Sequence, residues 1–175
     1  GKDARVTSST NSGTGIAIGV SSRSSADSAI ALGQGATATG NYSMSVGNNS
    51  ASAGLVATAI SDNSRAYGDY TVAIGYKANA GQSGNTAVTN ATAIGSYTNA
   101  LQDGATAMGA GAYAASTNAL ALGRSAAVGA NSVGASAIGA GATVAANATG
   151  ATAIGVGASV ADGASGAMVL GAGSV

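Results

Sequence analysis

An aliphatic residue followed by glycine returns along this chain at nearly constant intervals. The pairs are Ile18-Gly19, Leu32-Gly33, Val46-Gly47, Ile74-Gly75, Ile94-Gly95, Met108-Gly109, Leu122-Gly123, Ile138-Gly139, Ile154-Gly155 and Leu170-Gly171. Ile60-Ser61 keeps the same phase with serine in the glycine position. The interval is 14 residues from Ile18 to Ile74, 20 from Ile74 to Ile94, 14 for the next two steps and 16 for the last three. Immediately before each aliphatic stands a small residue (Ala17, Ala31, Ser45, Ala59, Ala73, Ala93, Ala107, Ala121, Ala137, Ala153), with Val169 the exception. Two positions before, the residue is often larger, as at Ile16, Ile30, Met44, Val72, Leu120 and Met168, and three before it is small again. This is period two, so each repeat contains a strand with small side chains on one face and larger ones on the other. A second small row lies four and six residues after the aliphatic, as at Ala36 and Ala38 or Ala112 and Ala114, with valine entering at Val128, Val144 and Val160. It predicts a second, short strand. The glycine between the two supplies the backbone freedom for a tight turn, and residues such as Gly40, Gly54 and Gly68 mark a second turn.

Strand, turn, strand, turn is one rung of a parallel β-solenoid. The expected fold is all-β, with about eleven rungs over residues 14–175, 14 residues each to about Leu122 and 16 thereafter. Residues 1–13 are polar and aperiodic and read as a lead-in. Rungs stack about 4.8 Å apart, so eleven make a rod about 50 Å long. A coil of 14 residues brings its two walls close together, and only small side chains fit between them. One or two sizeable aliphatics per rung, at roughly 1.5–3 kcal/mol each when fully buried, must offset the ordering of a whole rung at roughly 1 kcal/mol or more per residue. A solitary roll would also leave a long apolar stripe in water, and such stripes mark interaction surfaces. The pattern therefore predicts an oligomer whose shared axis runs along the rod, with closed symmetry. It leaves two and three subunits both open. The aliphatic phase is expected to hold roll to roll, and the alanine rows to lie between the walls of each roll.

Composition narrows the function. The 175 residues include 44 Ala and 29 Gly but no His, Cys, Glu, Phe, Trp or Pro. Without His and Cys there is no histidine triad, thiol nucleophile, disulfide framework or zinc site. The aspartates Asp27, Asp62, Asp69, Asp103 and Asp162 do not recur at one phase of the repeat, so no row of carboxylates is expected. The chain reads as a non-enzyme with no cofactor and no metal. Its formal net charge is +0, which argues against an electrostatic grip on nucleic acid. The weakly polar stretch 137–160 carries Gly139, Gly141, Gly150, Gly155 and Gly157. Interior glycine costs a helix about 1 kcal/mol each, so no membrane span and no membrane contact are expected there.

The repeat Ala-aliphatic-Gly-x-x-Ala/Ser-x-Ala, preceded by Asn or Ser and a small residue, resembles the head repeat of trimeric autotransporter adhesins of the YadA-like type. Ser28-Ala29-Ile30-Ala31-Leu32-Gly33, Asn90-Ala91-Thr92-Ala93-Ile94-Gly95 and Asn118-Ala119-Leu120-Ala121-Leu122-Gly123 carry the resemblance most closely. It spans about residues 14–175, and Ile18, Leu32, Val46, Ile60, Ile74, Ile94, Met108, Leu122, Ile138, Ile154 and Leu170 would be its structural positions. The resemblance implies a left-handed parallel β-roll and a homotrimer around a shared long axis. It also implies a place at the bacterial cell surface, at the tip of an outer-membrane-anchored fibre. Such heads attach to extracellular matrix proteins (the collagen, fibronectin and laminin class) or to host cells, and to one another. The family's neck, coiled-coil stalk and membrane-anchor barrel have no counterpart in these residues. A purely structural spacer solenoid and an ice-binding solenoid are the alternatives. The second is weakened because the row holding Thr58, Thr92, Thr106 and Thr152 is interrupted by Ile16, Ile30, Met44, Val72, Leu120 and Met168.

Two departures from the repeat are candidates for ligand contact. Six extra residues, Gly81-Gln82-Ser83-Gly84-Asn85-Thr86, form either a longer turn or a protruding loop. Just before them, four of the twelve charges and three of the six tyrosines fall within residues 62–77. Asp62, Arg65, Tyr67, Asp69, Tyr70, Tyr76 and Lys77 form the candidate ligand patch, because Tyr and Arg are favoured at binding hot spots. The competing reading is a solvated turn edge. After Asp103 only Arg124 and Asp162 carry charge, so the C-terminal third reads as scaffold.

Overall fold

A computed structural model of the chain describes residues 1–7, 14–85 and 87–175. Residues 8–13 of the expected lead-in and Thr86 of the insertion lie outside the described residues. Among the described residues all regular structure is β, and it forms two 11-stranded parallel sheets. One sheet is built from three-residue strands that end on the aliphatic phase, from Ile16–Ile18 and Ile30–Leu32 to Thr152–Ile154 and Met168–Leu170. The other is built from two-residue strands, from Arg5–Val6 and Arg23–Ser24 to Thr143–Val144 and Ser159–Val160. The chain alternates between the sheets, so each strand pairs with the strand one full rung away, and the register never slips. Ile74 pairs with Ile60 on one side and Ile94 on the other, and Ala80 pairs with Ala66 and Ala100. This is the parallel β-solenoid of about eleven turns that the period predicts.

Period two sorts the side chains as expected. Ala31, Ala59, Ala73, Ala93, Ala107, Ala121, Ala137 and Ala153 are 0% exposed. They face the inner row of the two-residue sheet, including Ala38, Ala66, Ala80, Ala100 and Ala114, also 0% exposed. The aliphatic phase points away from this interior. Ile18 is 61% exposed, Leu122 39% and Leu170 60%, and most of the others are half-buried. The interior is therefore methyl against methyl, and the large apolar groups form a ridge along the outside of the three-residue sheet.

The interior changes character along the rod. Toward the N-terminus it holds serine: Ser22, Ser24, Ser43, Ser45, Ser50, Ser52 and Ser64 are buried. Most of these hydroxyls find oxygen partners within the roll, as buried polar groups must. Ser24 Oγ donates to the Ala29 carbonyl at 2.9 Å, Ser64 Oγ to the Ser61 carbonyl at 2.8 Å, and Ser45 and Ser50 hydroxyls pair at 2.8 Å. Farther along Ala takes over, and in the last rungs Val128, Val144 and Val160 fill the row.

The 16-residue rungs have a clear structural basis. Their two extra residues add a second turn where the chain leaves the short strand, around Ala130-Asn131 and then Val133-Gly134 in the first such rung. Between the two turns a residue points inward, Ser132 or Ala148, each 0% exposed. Ser132 Oγ donates to the Ala145 carbonyl at 2.7 Å and accepts from the Ala148 N–H at 3.0 Å, tying one rung to the next. The longer turn closes a broader interior, and the bulkier valines occupy it.

The glycine after each aliphatic is needed twice over. At Gly123 φ is +134°, and an added Cβ would lie 2.5 Å from the carbonyl oxygen of Gly139 in the next rung. Ser61 is the one non-glycine in this row, at φ 106°. Gly123→Ala is expected to lower the unfolding free energy by more than about 1 kcal/mol. Ala107→Leu, on the inward face of the Thr106–Met108 strand, is expected to cost about 3 kcal/mol through overpacking. Thr106→Val on the outward face is expected to stay within about 0.5 kcal/mol. Thermal and denaturant unfolding of the three variants checks the order.

Candidate functional site

The outward positions of the two-residue sheet form straight rows, because parallel in-register pairing stacks equivalent positions. Five residues after the aliphatic, Arg65, Asn79, Asn99 and Tyr113 succeed one another on consecutive rungs. Three residues after the aliphatic, at the adjoining turn, stand Asn63, Lys77 and Tyr97, each with φ near +55°. On the other flank Tyr67 follows its strand, and the inserted segment rises beside it. These rows and the insertion enclose an open groove of about 320 Å³ lined by Asn63, Arg65, Tyr67, Lys77, Ala78, Asn79, Ser83 and Asn99. It holds two cations, three carboxamides, a phenol and a hydroxyl, and no carboxylate.

Lys77 is held in place at the groove rim. Its Nζ lies 5.2 Å from the centre of the Tyr76 ring and 5.4 Å from that of Tyr97. The two rings meet edge to face, 5.2 Å apart and at 87°, so a cation–π contact on each side fixes the ammonium without neutralising it. The opposite rim is the insertion. It is a compact turn closed by a bridge between Gln82 and Asn85, with the Asn85 N–H donating to the Gln82 carbonyl at 3.0 Å. Gln82 Nε2 donates to the Leu101 carbonyl at 3.2 Å, anchoring the turn to the next rung. Ser83, Gly84 and Asn85 at its tip are exposed, and an added Cβ at Gly84 would meet nothing within 4 Å. Val88, 3% exposed, returns the chain to the core, and the solenoid register resumes beyond it.

The seven patch residues fall into three places. Arg65, Tyr67 and Lys77 line the groove, and Tyr76 backs Lys77. Asp62 sits in the turn beside them, where its Oδ1 accepts from Asn63 Nδ2 at 2.9 Å. Asp69 and Tyr70 lie on the other edge of the roll, in the turn that follows the short strand Arg65–Ala66. Tyr70 is exposed there at φ 55°, whereas Asp69 braces the turn: its Oδ1 accepts the Leu55 N–H, one rung back, at 2.7 Å.

That brace recurs. Asp103 Oδ1 accepts the Thr89 N–H at 2.7 Å, and Asn41 Oδ1 accepts the Asp27 N–H at 3.3 Å. Contrary to expectation, Asp27, Asp69 and Asp103 share one phase, five residues before the aliphatic, and Asn41 belongs to it too. Asp69, Asp103 and Asn41 of this row brace turns, and the row is not a catalytic array. Among the described residues no three His, Cys, Asp or Glu side chains gather to hold a metal ion. Asn63, Asn79, Ser83, Tyr97 and Asn99 belong to the groove cluster but not to the sequence-derived patch. Their phase carried the signal, since Asn79 and Asn99 share the position of Arg65, and Tyr97 that of Lys77.

The repeated rungs also match a known family. The YadA head domain repeat (2 copies) matches residues 13–36, 24–50, 57–78, 66–84, 89–112 and 100–126, which together cover more than half of the chain. No curated protein matches the chain.

Asp69→Ala is expected to destabilise the roll by about 1–2 kcal/mol, because the Leu55 N–H loses its charged acceptor. Asp69→Asn keeps an oxygen there, as Asn41 does, and is expected to restore most of the loss in thermal unfolding.

Proposed function

The chain belongs to the YadA head domain repeat family, and from this premise we infer that it is the adhesive head of a trimeric surface adhesin. One observation supports the inference above the others. The larger aliphatics do not fill the interior of the roll; they stand in a continuous exposed and half-buried ridge along one sheet. Three copies closed around a long axis would bury that ridge, with Ile60, Ile74, Ile94 and Leu122 of each roll facing the other two, and would leave the two-residue sheets outermost. As such a head the roll would be left-handed, and the protein would sit at the tip of an outer-membrane-anchored fibre. It attaches the bacterium to extracellular matrix proteins of the collagen, fibronectin and laminin class or to host cells, and bacteria to one another. It catalyses no reaction. Contact repeated on three faces would raise avidity without a deep pocket, since linked weak sites act together. The ligand patch assigned to this role is Arg65, Tyr67, Tyr76 and Lys77, with Asp62 in the turn beside them and Asp69 and Tyr70 apart from them on the other edge of the roll.

Light scattering of the purified protein is expected to give three times 16.0 kDa; a monomer would overturn the shared axis. Ile94→Asp or Leu122→Asp is expected to abolish assembly, because each would bury an unpaired charge. Arg65→Ala is expected to leave assembly intact. The assembled protein should bind at least one of immobilised collagen, fibronectin, laminin or an epithelial cell layer. Binding to none would favour a purely structural spacer.

A further inference from the structure

We propose that the groove over Arg65, Asn79 and Asn99 binds an anionic polysaccharide, a linear sugar chain bearing sulfate or carboxylate groups, laid along the rod axis. This rests on the adhesin reading and names the ligand class of its patch. Charge complementarity is the first argument. The whole chain is formally neutral, yet this groove gathers Arg65 and Lys77 with no carboxylate in its lining. Lys77 Nζ stands over the Tyr76 and Tyr97 rings, 5.2 and 5.4 Å from their centres, so little of its freedom remains to be lost on binding.

The neutral groups favour a sugar over an acidic peptide. Asn63, Asn79 and Asn99 each carry two N–H donors and an acceptor; Asn63 and Asn99 commit one N–H each, to Asp62 Oδ1 and the Tyr97 carbonyl, and the remainder suits a ligand dense in hydroxyls. Asn79 Oδ1 is buried with no hydrogen-bond partner among the described residues, and a ligand hydroxyl would satisfy it once the carboxamide turns toward the groove. Tyr67 supplies an aromatic face on which the C–H face of a pyranose can lie. No Leu, Ile, Val, Met or Phe lines the groove to receive apolar side chains of a peptide.

The geometry supplies the direction. Arg65, Asn79 and Asn99 stand in register on three consecutive rungs, one about every 4.8 Å. That spacing is comparable to the advance of one sugar residue along a polysaccharide. The turn row of Asn63, Lys77 and Tyr97 walls one side and the insertion with Ser83 the other, leaving a channel parallel to the rod. The channel lies on the two-residue sheet, opposite the aliphatic ridge, so assembly through the ridge leaves it open.

The test uses the assembled protein and three probes: a heparin-derived octasaccharide, an uncharged linear glucose oligomer of the same length, and a polyglutamate peptide. Titration calorimetry is expected to show binding of the sulfated octasaccharide, at least roughly tenfold weaker binding of the other two, and weakening at high salt as screening requires. Arg65→Gln combined with Lys77→Gln is expected to weaken octasaccharide binding at least roughly tenfold. Lys2→Gln combined with Arg5→Gln removes the same charge at the N-terminal end of the rod, where Arg5 lies four rungs from Arg65, and is expected to change it less than about twofold. All variants are first shown to keep their circular dichroism and oligomeric state. Absence of octasaccharide binding, equal loss in the two double variants, or equal binding of polyglutamate each overturns the proposal. If the protein binds matrix proteins or cells but not the octasaccharide, the ligand class falls and the adhesive reading stands; if it binds none of them, both fall.

Discussion

Everything in this molecule follows from how closely its two sheets approach. With Ala59, Ala73 and Ala93 on one wall and Ala66, Ala80 and Ala100 on the other, all 0% exposed, the space between the walls is filled by methyl groups. Interiors pack near crystalline density, so this gap admits no leucine, and no aromatic could be placed there. The large apolar residues were displaced to the outside, and glycine is favoured where rungs stack backbone on backbone, as at Gly123 over Gly139, with Ser61 the exception. The high Ala and Gly content, the missing Phe and Trp and the exposed aliphatic ridge share this one cause.

The same closeness shifts the burden of stability. Alanine buries little apolar area per residue, so the roll depends heavily on hydrogen bonds that run from rung to rung. They continue through the turns as well as the strands, as in Ile30 N–H to the Ser43 carbonyl at 2.9 Å and Gly47 N–H to the Leu32 carbonyl at 2.8 Å. Side chains reinforce the turns at fixed phases: Ser50 and Thr71 hydroxyls cap carbonyls three residues back, and Asp69, Asp103 and Asn41 hold the rung before them. Stability is distributed in nearest-neighbour increments, as in other solenoids, and the wide aliphatic face remains available for contact between chains.

Alternation made the strands, the inner alanine rows and the outer aliphatic rows legible, because a period of two is written in consecutive residues. The groove was legible only in part. A contiguous window such as 62–77 traverses one complete rung, so it mixes the edge holding Asp62 and Lys77 with the edge holding Asp69 and Tyr70. Of the two rings against Lys77, Tyr76 is its neighbour in sequence, but Tyr97 is one rung away and lies twenty positions on because of the insertion. The shared phase of Asp27, Asp69 and Asp103 was masked by Asn41, which braces as Asp69 and Asp103 do, and by Leu55 and Thr89, which have no carboxylate or carboxamide. The broader C-terminal interior was signalled by Val128, Val144 and Val160, but the inward role of Ser132 and Ala148 depends on a double turn that has no period of its own.

The insertion at residues 81–86 leaves the pairing of Ile74 with Ile94 and of Ala80 with Ala100 undisturbed. A solenoid of this kind separates two kinds of information that a globular domain entangles. Inward positions specify the coil, while outward positions and turns behave as a grid in which each rung and phase is an address. Substituting or inserting residues at one address rewrites a single point of the surface and leaves its neighbours as they were. Such a grid lets a surface protein alter what it meets, rung by rung, while the framework that carries it stays constant.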